Sequence, residues 1–157
     1  MTRRTNNMND SDSAALSLPP VSQIGFVVRD LEQSIARYQP IFGEFVEMSP
    51  GEMDWEYRGK TEPAELKIAF GKSGDVEIEL IEWVSGECPH KEFIEAGHEG
   101  MQHLRFLVDD VDAKVKEAEA LGYQQIWYKR FAEGLAASYL EKEGDPLIVE
   151  LFENSHG

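Results

Sequence analysis

Cysteine is nearly absent: 157 residues contain only Cys88. One thiol cannot close an internal disulfide, and it excludes a zinc ribbon or a Cys-x-x-Cys redox site. Cations are scarce as well. Lysine and arginine number 15 against 30 acids, a formal charge of -15. A chain that tracks phosphates needs a basic face, so no nucleic-acid partner is expected. No apolar run nears the roughly 18 residues of a membrane span, so no membrane partner is expected either. The opening MTRRTNNMNDSDS has no apolar core of a secretory leader, and the reading is a cytoplasmic protein. What is present suffices for a core. Hydrophobic residues make up 41% and aromatics 10%, which fits one small domain.

The polar stretch 1–20, ending in Leu18-Pro19-Pro20, reads as a flexible tail. The folded domain is expected over 21–153, as module one at 21–84 and module two at 101–153, with a short tail at 154–157. Val21–Val28 is a β-branched, apolar strand. Asp30 is the N-cap of a helix over Leu31–Phe42, with Leu31, Ile35 and Tyr38 on one face. Glu44–Met48 is a short strand, and the Pro, Gly and charge of 49–63 read as loop. Strands Glu65–Gly71 and Val76–Trp83 flank the hairpin signal Lys72-Ser73-Gly74-Asp75. Ser85–Gly100 is a polar connection with a short helix at His90–Ala96. A strand over Gln102–Val108, a helix over Asp110–Leu121, and strands Tyr123–Lys129, Leu135–Glu141 and Pro146–Phe152 complete the chain. The order βαβββ thus occurs twice.

The repeat is visible residue by residue. QIGFVVRDLE from Gln23 lies on HLRFLVDDVD from His103, so that Phe26 meets Phe106, Val28 meets Val108 and Asp30 meets Asp110. Further on, Glu79-Leu80-Ile81-Glu82 meets Glu150-Leu151-Phe152-Glu153. A duplicated fold has a pseudo-twofold axis. Gln23 and His103 become equivalent, as do Glu79 and Glu150. A carboxylate inside an apolar strand is costly unless partnered. One imidazole, one amide oxygen and two carboxylates make a credible set of ligands for a divalent cation, whose charge the two carboxylates neutralise.

The motifs QIGFVVRDLEQSIARY (23–38), VEIELIE (76–82), GMQHLRFLVDDVDA (100–113) and GDPLIVELFE (144–153) resemble the vicinal oxygen chelate superfamily, the glyoxalase, bleomycin-resistance and dioxygenase fold. Among its members the chain looks most like the methylmalonyl-CoA epimerases. The resemblance implies an α+β fold, two tandem βαβββ modules forming a curled mixed sheet around a metal-binding cleft. It implies one divalent ion (Zn, Co, Ni, Mn or Mg) on Gln23, Glu79, His103 and Glu150. It also implies a homodimer, which the need to cover sheet edges supports. The epimerases usually have His where this chain has Gln23. Gln at that place belongs to some glyoxalase I enzymes, but their Arg four residues on is Val27 here. The ring-cleaving dioxygenases use two His and a carboxylate; Gln23 in place of one His argues against oxygen chemistry.

Strand alternation places Glu77 and Ile81 beside Glu79, Arg105 and Leu107 beside His103, and Ile148 and Phe152 beside Glu150. The chemistry that suits such a cleft is proton movement next to a carbonyl, with an enolate stabilised by the metal. By resemblance, Glu150 is the first base and Glu65, in PAELKIAF, the second. Arg105 would bind an anionic group of the substrate or pair with Glu77. Trp55, Tyr57, Trp127, Tyr128 and Tyr139 are candidate pocket walls. His90, His98 and His156 read as solvated, and Cys88 as inert. The expected function is a metal-dependent isomerase, epimerase or lyase. Its small-molecule substrate would be an acyl-thioester such as methylmalonyl-CoA, or a hemithioacetal. The alternative is a non-catalytic binder of the bleomycin-resistance type.

Overall fold

The structure, a computed structural model, describes residues 15–155. The elements are β1 (Gln23–Val28), α1 (Leu31–Phe42), β2 (Val46–Glu47), β3 (Gly51–Tyr57), β4 (Lys60–Ser73), β5 (Val76–Gly86), α2 (Pro89–Glu95), β6 (Gly100–Val108), α3 (Val111–Glu119), β7 (Tyr123–Ala132), β8 (Leu135–Lys142) and β9 (Asp145–Asn154). Both long helices start as the sequence predicts. Asp30 accepts from the Gln33 N–H at 2.9 Å and Asp110 from the Ala113 N–H at 3.0 Å. Among the described residues no helix is long and apolar enough to cross a membrane.

The strands run β2-β4-β3-β7-β8-β9-β6-β1-β5, and β4 also pairs with β5. The sheet therefore closes on itself, β4 returning to β5, with β2 on an open edge. The modules meet at two seams. β1 lies antiparallel to β6, with Gln23 opposite Arg105 and Gly25 opposite His103. β3 meets β7 at Glu56 and Tyr57. The cleft thus forms within one chain. The β3–β7 seam pairs only Glu56 and Tyr57 of β3, so β2 and the first part of β3 keep an open edge that a second chain could cover.

Residues 49–63 are not a loop. Met53, Trp55 and Tyr57 alternate with the exposed Glu52, Asp54 and Glu56 along β3, a period of two that the density of charge disguises. Arg58 and Gly59 turn the chain into β4 with positive φ, 48° and 84°, as a tight two-residue hairpin requires.

Alternation then sorts each strand into two faces. Outward, Ile78 and Leu80 pack with Val28 and Ala69 under Leu31, Ile35 and Tyr38 of α1. Val149 and Leu151 pack with Ala136 and Leu140 under Val111, Val115 and Ala118 of α3. Inward, a third cluster holds Leu66, Ile81, Cys88, Ile126, Trp127 and Tyr139. Leu16 and Leu18, expected in the tail, pack against the α3 cluster, and Lys114 donates to the Leu16 carbonyl at 2.9 Å. The rest of that expected tail, residues 1–14, and His156 lie outside the described residues.

Candidate metal centre

Four side chains from four strands converge at the β1–β6 seam. Gln23, His103, Glu79 and Glu150 are 2%, 0%, 9% and 8% exposed. From His103 Nε2 it is 3.2 Å to Gln23 Oε1, 3.4 Å to Glu79 Oε1 and 3.2 Å to Glu150 Oε2. Each strand is placed by its outward neighbours: burying Ile78 and Leu80 turns Glu79 inward, and burying Val149 and Leu151 turns Glu150 inward. Gly25 makes the room. A Cβ there would lie 1.9 Å from His103 Cε1, so only glycine lets the ring cross β1.

The surrounding groups fix orientation. His103 Nδ1 faces Gln102 Oε1 at 3.1 Å, which leaves Nε2 aimed at the three oxygens. Gln23 Nε2 donates to Glu77 Oε1 at 2.7 Å, which turns the Gln23 carbonyl oxygen toward His103. Arg105 lies 3.5 Å from that Glu77 oxygen, donates to Ser22 Oγ at 3.1 Å and covers the Phe152 ring at 5.2 Å. Burial pushes the His103 imidazole down, but Glu150 and Glu79 outweigh it and hold its pKa up at about 9. The imidazolium offsets one of the two carboxylate charges and leaves the other for a cation to neutralise.

One proton on Nε2 cannot serve three oxygens, and Glu150 Oε2 is left buried without a hydrogen-bond partner. Donor atoms about 2.1 Å from a small divalent ion lie about 3.0–3.4 Å from one another, for octahedral or tetrahedral sets. The distances from Nε2 fall in that range, and the donor set of one imidazole, one amide and two carboxylates suits a divalent cation. As they stand the side chains are drawn in on His103. Among the described residues no group of three or more His, Cys, Asp and Glu side chains forms an open cation cage.

A cavity of about 720 Å³ opens from this centre. Glu77, Arg105, Tyr139, Ile81 and Phe152 line it, as alternation predicts. Trp55 and Trp127 line it as well, whereas Tyr57 and Tyr128 do not. Tyr128 packs toward α3 instead. Leu107 is 46% exposed, because β6 has left the cavity by then. Ile148 packs against the inward cluster without lining the cavity. Glu65 is not brought to the site. Its neighbours Ala64 and Leu66 both line the cavity, so Glu65 faces the other side of β4.

His90 corrects the sequence reading. It is fully buried, lines the cavity and sits 3.1 Å from the Tyr139 hydroxyl through Nε2. Burial, with the His103 charge adding to it, pushes its pKa down to about 3, so it is neutral. Burial and the charges of Glu150 and Glu79 push the Tyr139 hydroxyl well above its ordinary range. His90 was legible only as part of Cys88-Pro89-His90, a proline-started helix following an apolar strand. Gln102 and Gly25 had a clearer signal, the one adjoining His103 and the other facing it across a seam.

A closed pair of pseudo-equivalent modules with four donors on its axis defines a class. Residues 22–139 match the model of the Glyoxalase/Bleomycin resistance protein/Dioxygenase superfamily, and the chain belongs to that superfamily. Among individual proteins, it is 22% identical over 136 residues to the uncharacterized protein YqjC of Bacillus subtilis (strain 168), covering 85% of this chain and 91% of that one. A hypothetical protein of Bacillus halodurans C-125 superposes with a TM-score of 0.62 at 24% identity, over 87% of this chain and 95% of the other. The methylmalonyl-CoA epimerase of Mycobacterium tuberculosis superposes with a TM-score of 0.61 at 19% identity, over 88% and 89%. At these identities the structural likeness carries the fold and not the substrate.

Proposed function

We propose that the chain is a metal-dependent isomerase, epimerase or lyase that moves a proton on a carbon next to a carbonyl. The convergence of Gln23, Glu79 and Glu150 oxygens on His103 Nε2 carries this reading. These four residues would hold a divalent cation, which when bound supplies Lewis acidity at a carbonyl oxygen. Glu150 is the base: its carboxylate lines the cavity at the centre, and its Oε2, 3.2 Å from His103 Nε2, carries no well-aligned hydrogen bond. Glu77, bonded to Gln23 and near Arg105, positions the Gln23 amide. Tyr139, held protonated, offers a neutral hydroxyl beside the centre. With Glu65 on the outer face, Glu150 both removes the proton and returns it, which favours an isomerase or lyase over an epimerase with a base on each side. The single free thiol suits a cytoplasmic setting. A homodimer would use the open edge β2, where Val46 is exposed; sedimentation velocity checks it.

The test is bound-metal stoichiometry by mass spectrometry on protein purified without chelator or metal resin, with His103→Ala as control. About one divalent ion per chain is expected, absent from the variant. Proton exchange in D2O on α-hydroxy ketones, hemithioacetals and acyl-thioesters then tests the reaction, and Glu150→Gln is expected to abolish it while keeping the fold. If neither protein takes up metal on soaking, the enzyme reading fails and the chain is a small-molecule binder.

A further inference from the structure

We propose that the cavity takes an uncharged molecule with a flat, apolar body, and not a coenzyme A thioester or a glutathione adduct. This rests on the reaction proposed above and names its substrate class.

Charge is the first argument. Arg105 is the one cation among the residues lining the cavity, and it is already engaged by Glu77 and Ser22. Three lining carboxylates, Glu77, Glu79 and Glu150, are balanced by that guanidinium and one divalent ion. The loaded cavity is therefore neutral. Coenzyme A brings a diphosphate and a further phosphate, and glutathione brings two carboxylates. Such anions need free basic groups. Lys129, beside the rim residue Phe131 at 5.7 Å, has its ammonium on the Asp54 carbonyl. A chain of net charge -15 repels anions at long range besides.

Shape is the second. Aromatic rings form a continuous series from the rim to the metal centre. Phe131 meets Trp55 edge-on at 5.6 Å. Trp55 stacks on Trp127 at 3.5 Å and 13°. Trp127 meets Tyr139 at 4.9 Å, and Tyr139 meets the His103 ring at 4.9 Å. The other walls include Met53, Leu66, Ile68 and Phe152. Flat rings pack well against such a series, and a cavity of about 720 Å³ matches the size range of small-ligand sites.

Polarity is the third. The Trp127 indole N–H is buried and has no partner, although Trp127 lines the cavity. Buried donors are seldom left unmet. An acceptor on the ligand is the partner we assign to it.

The experiment is isothermal titration of the full chain, supplied with one equivalent of divalent metal. The ligands are 2-hydroxyacetophenone, its naphthyl homologue and propionyl-CoA, with deuterium exchange followed by NMR in parallel. The naphthyl ketone is expected to bind about tenfold or more tighter than propionyl-CoA. Phe131→Ser, at a 39% exposed rim position, is expected to weaken it about three- to tenfold, the size of one aromatic contact, with an unchanged melting curve. Ketones that bind without exchanging their α-protons would overturn the proposed reaction and leave the ligand class standing. Exchange on propionyl-CoA with no ketone bound would overturn the ligand class and leave the reaction standing. Equal or tighter binding of propionyl-CoA, or no binding of either ketone, also overturns the ligand class.

Discussion

Along the inward face of module one stand Gln23, Gly25, Glu77 and Glu79; the equivalent places in module two hold His103, Arg105, Ile148 and Glu150. The carboxylates Glu79 and Glu150 are alike, and each approaches His103 from its own side. The other three pairs differ, and the differences interlock. Where module one has no side chain, at Gly25, the imidazole of module two crosses. Where module two has the long Arg105, module one offers Glu77 within 3.5 Å. Where module one has that carboxylate, module two has the apolar Ile148. Symmetry builds the pair of inward carboxylates. Broken symmetry orients them and leaves one open cavity.

The largest expected effect tests which half anchors the proposed cation. His103→Ala should lose it, whereas Gln23→Ala, which removes one neutral oxygen donor and leaves the imidazole and both carboxylates, should keep it with about 10- to 100-fold weaker affinity or somewhat more, since even an outer contact is worth that much. Competition with a chromophoric chelator reads both; equal losses would mean that the halves contribute alike. Next, Gly25→Ala should destabilise the fold by about 3 kcal/mol, because its new methyl meets the ring rather than a flexible tip. Urea unfolding checks this, and an unchanged midpoint would show that His103 can move aside.

Cys88, in neither repeat, sharpens the comparison from outside. Burial pushes its thiol pKa from 9.0 up to about 11. The folded state thus holds that proton more tightly than the unfolded one. The resulting stability is complete below pH 9 and is lost as pH rises through 11, by about 2–3 kcal/mol. Unfolding curves at pH 8 and 11 should show the loss in wild type and a smaller one in Cys88→Ala. The smallest effect concerns the helix caps. Asp30→Ala should cost about 1 kcal/mol. Asp110→Ala should cost less, since Glu153 still accepts from the Val111 N–H at 2.9 Å. Thermal melts of the two variants side by side decide it.

The repeat made β1, β5, β6 and β9 legible, and with them the four converging side chains, because polar residues in an apolar strand stand out against its alternation. The same rule was set aside at Glu65. Ala64, Leu66, Ile68 and Phe70 form the apolar face of β4, so the carboxylate between them had to point away; resemblance to another strand overrode that signal. β3 was hidden because its outward face is wholly acidic. His90 was hidden because a short polar linker ordinarily runs over the surface. Burial there depends on contacts far away in sequence, with Tyr139 and Trp127, which no local pattern records.

That linker has one more consequence. α2 lies against β5 and β1, sends His90 to β7 and β8, and is tied through Glu92 to Tyr57 and to Arg58 at the β3–β4 turn. Arg58 in turn holds Glu141 at 2.9 Å. Two modules need only one join, and here the join also braces both: His90 reaches Tyr139 of module two while Glu92 holds Arg58 of module one. Two separate half-chains could bring the same four side chains together, yet they would lack His90 in the cavity wall and the tie between the modules.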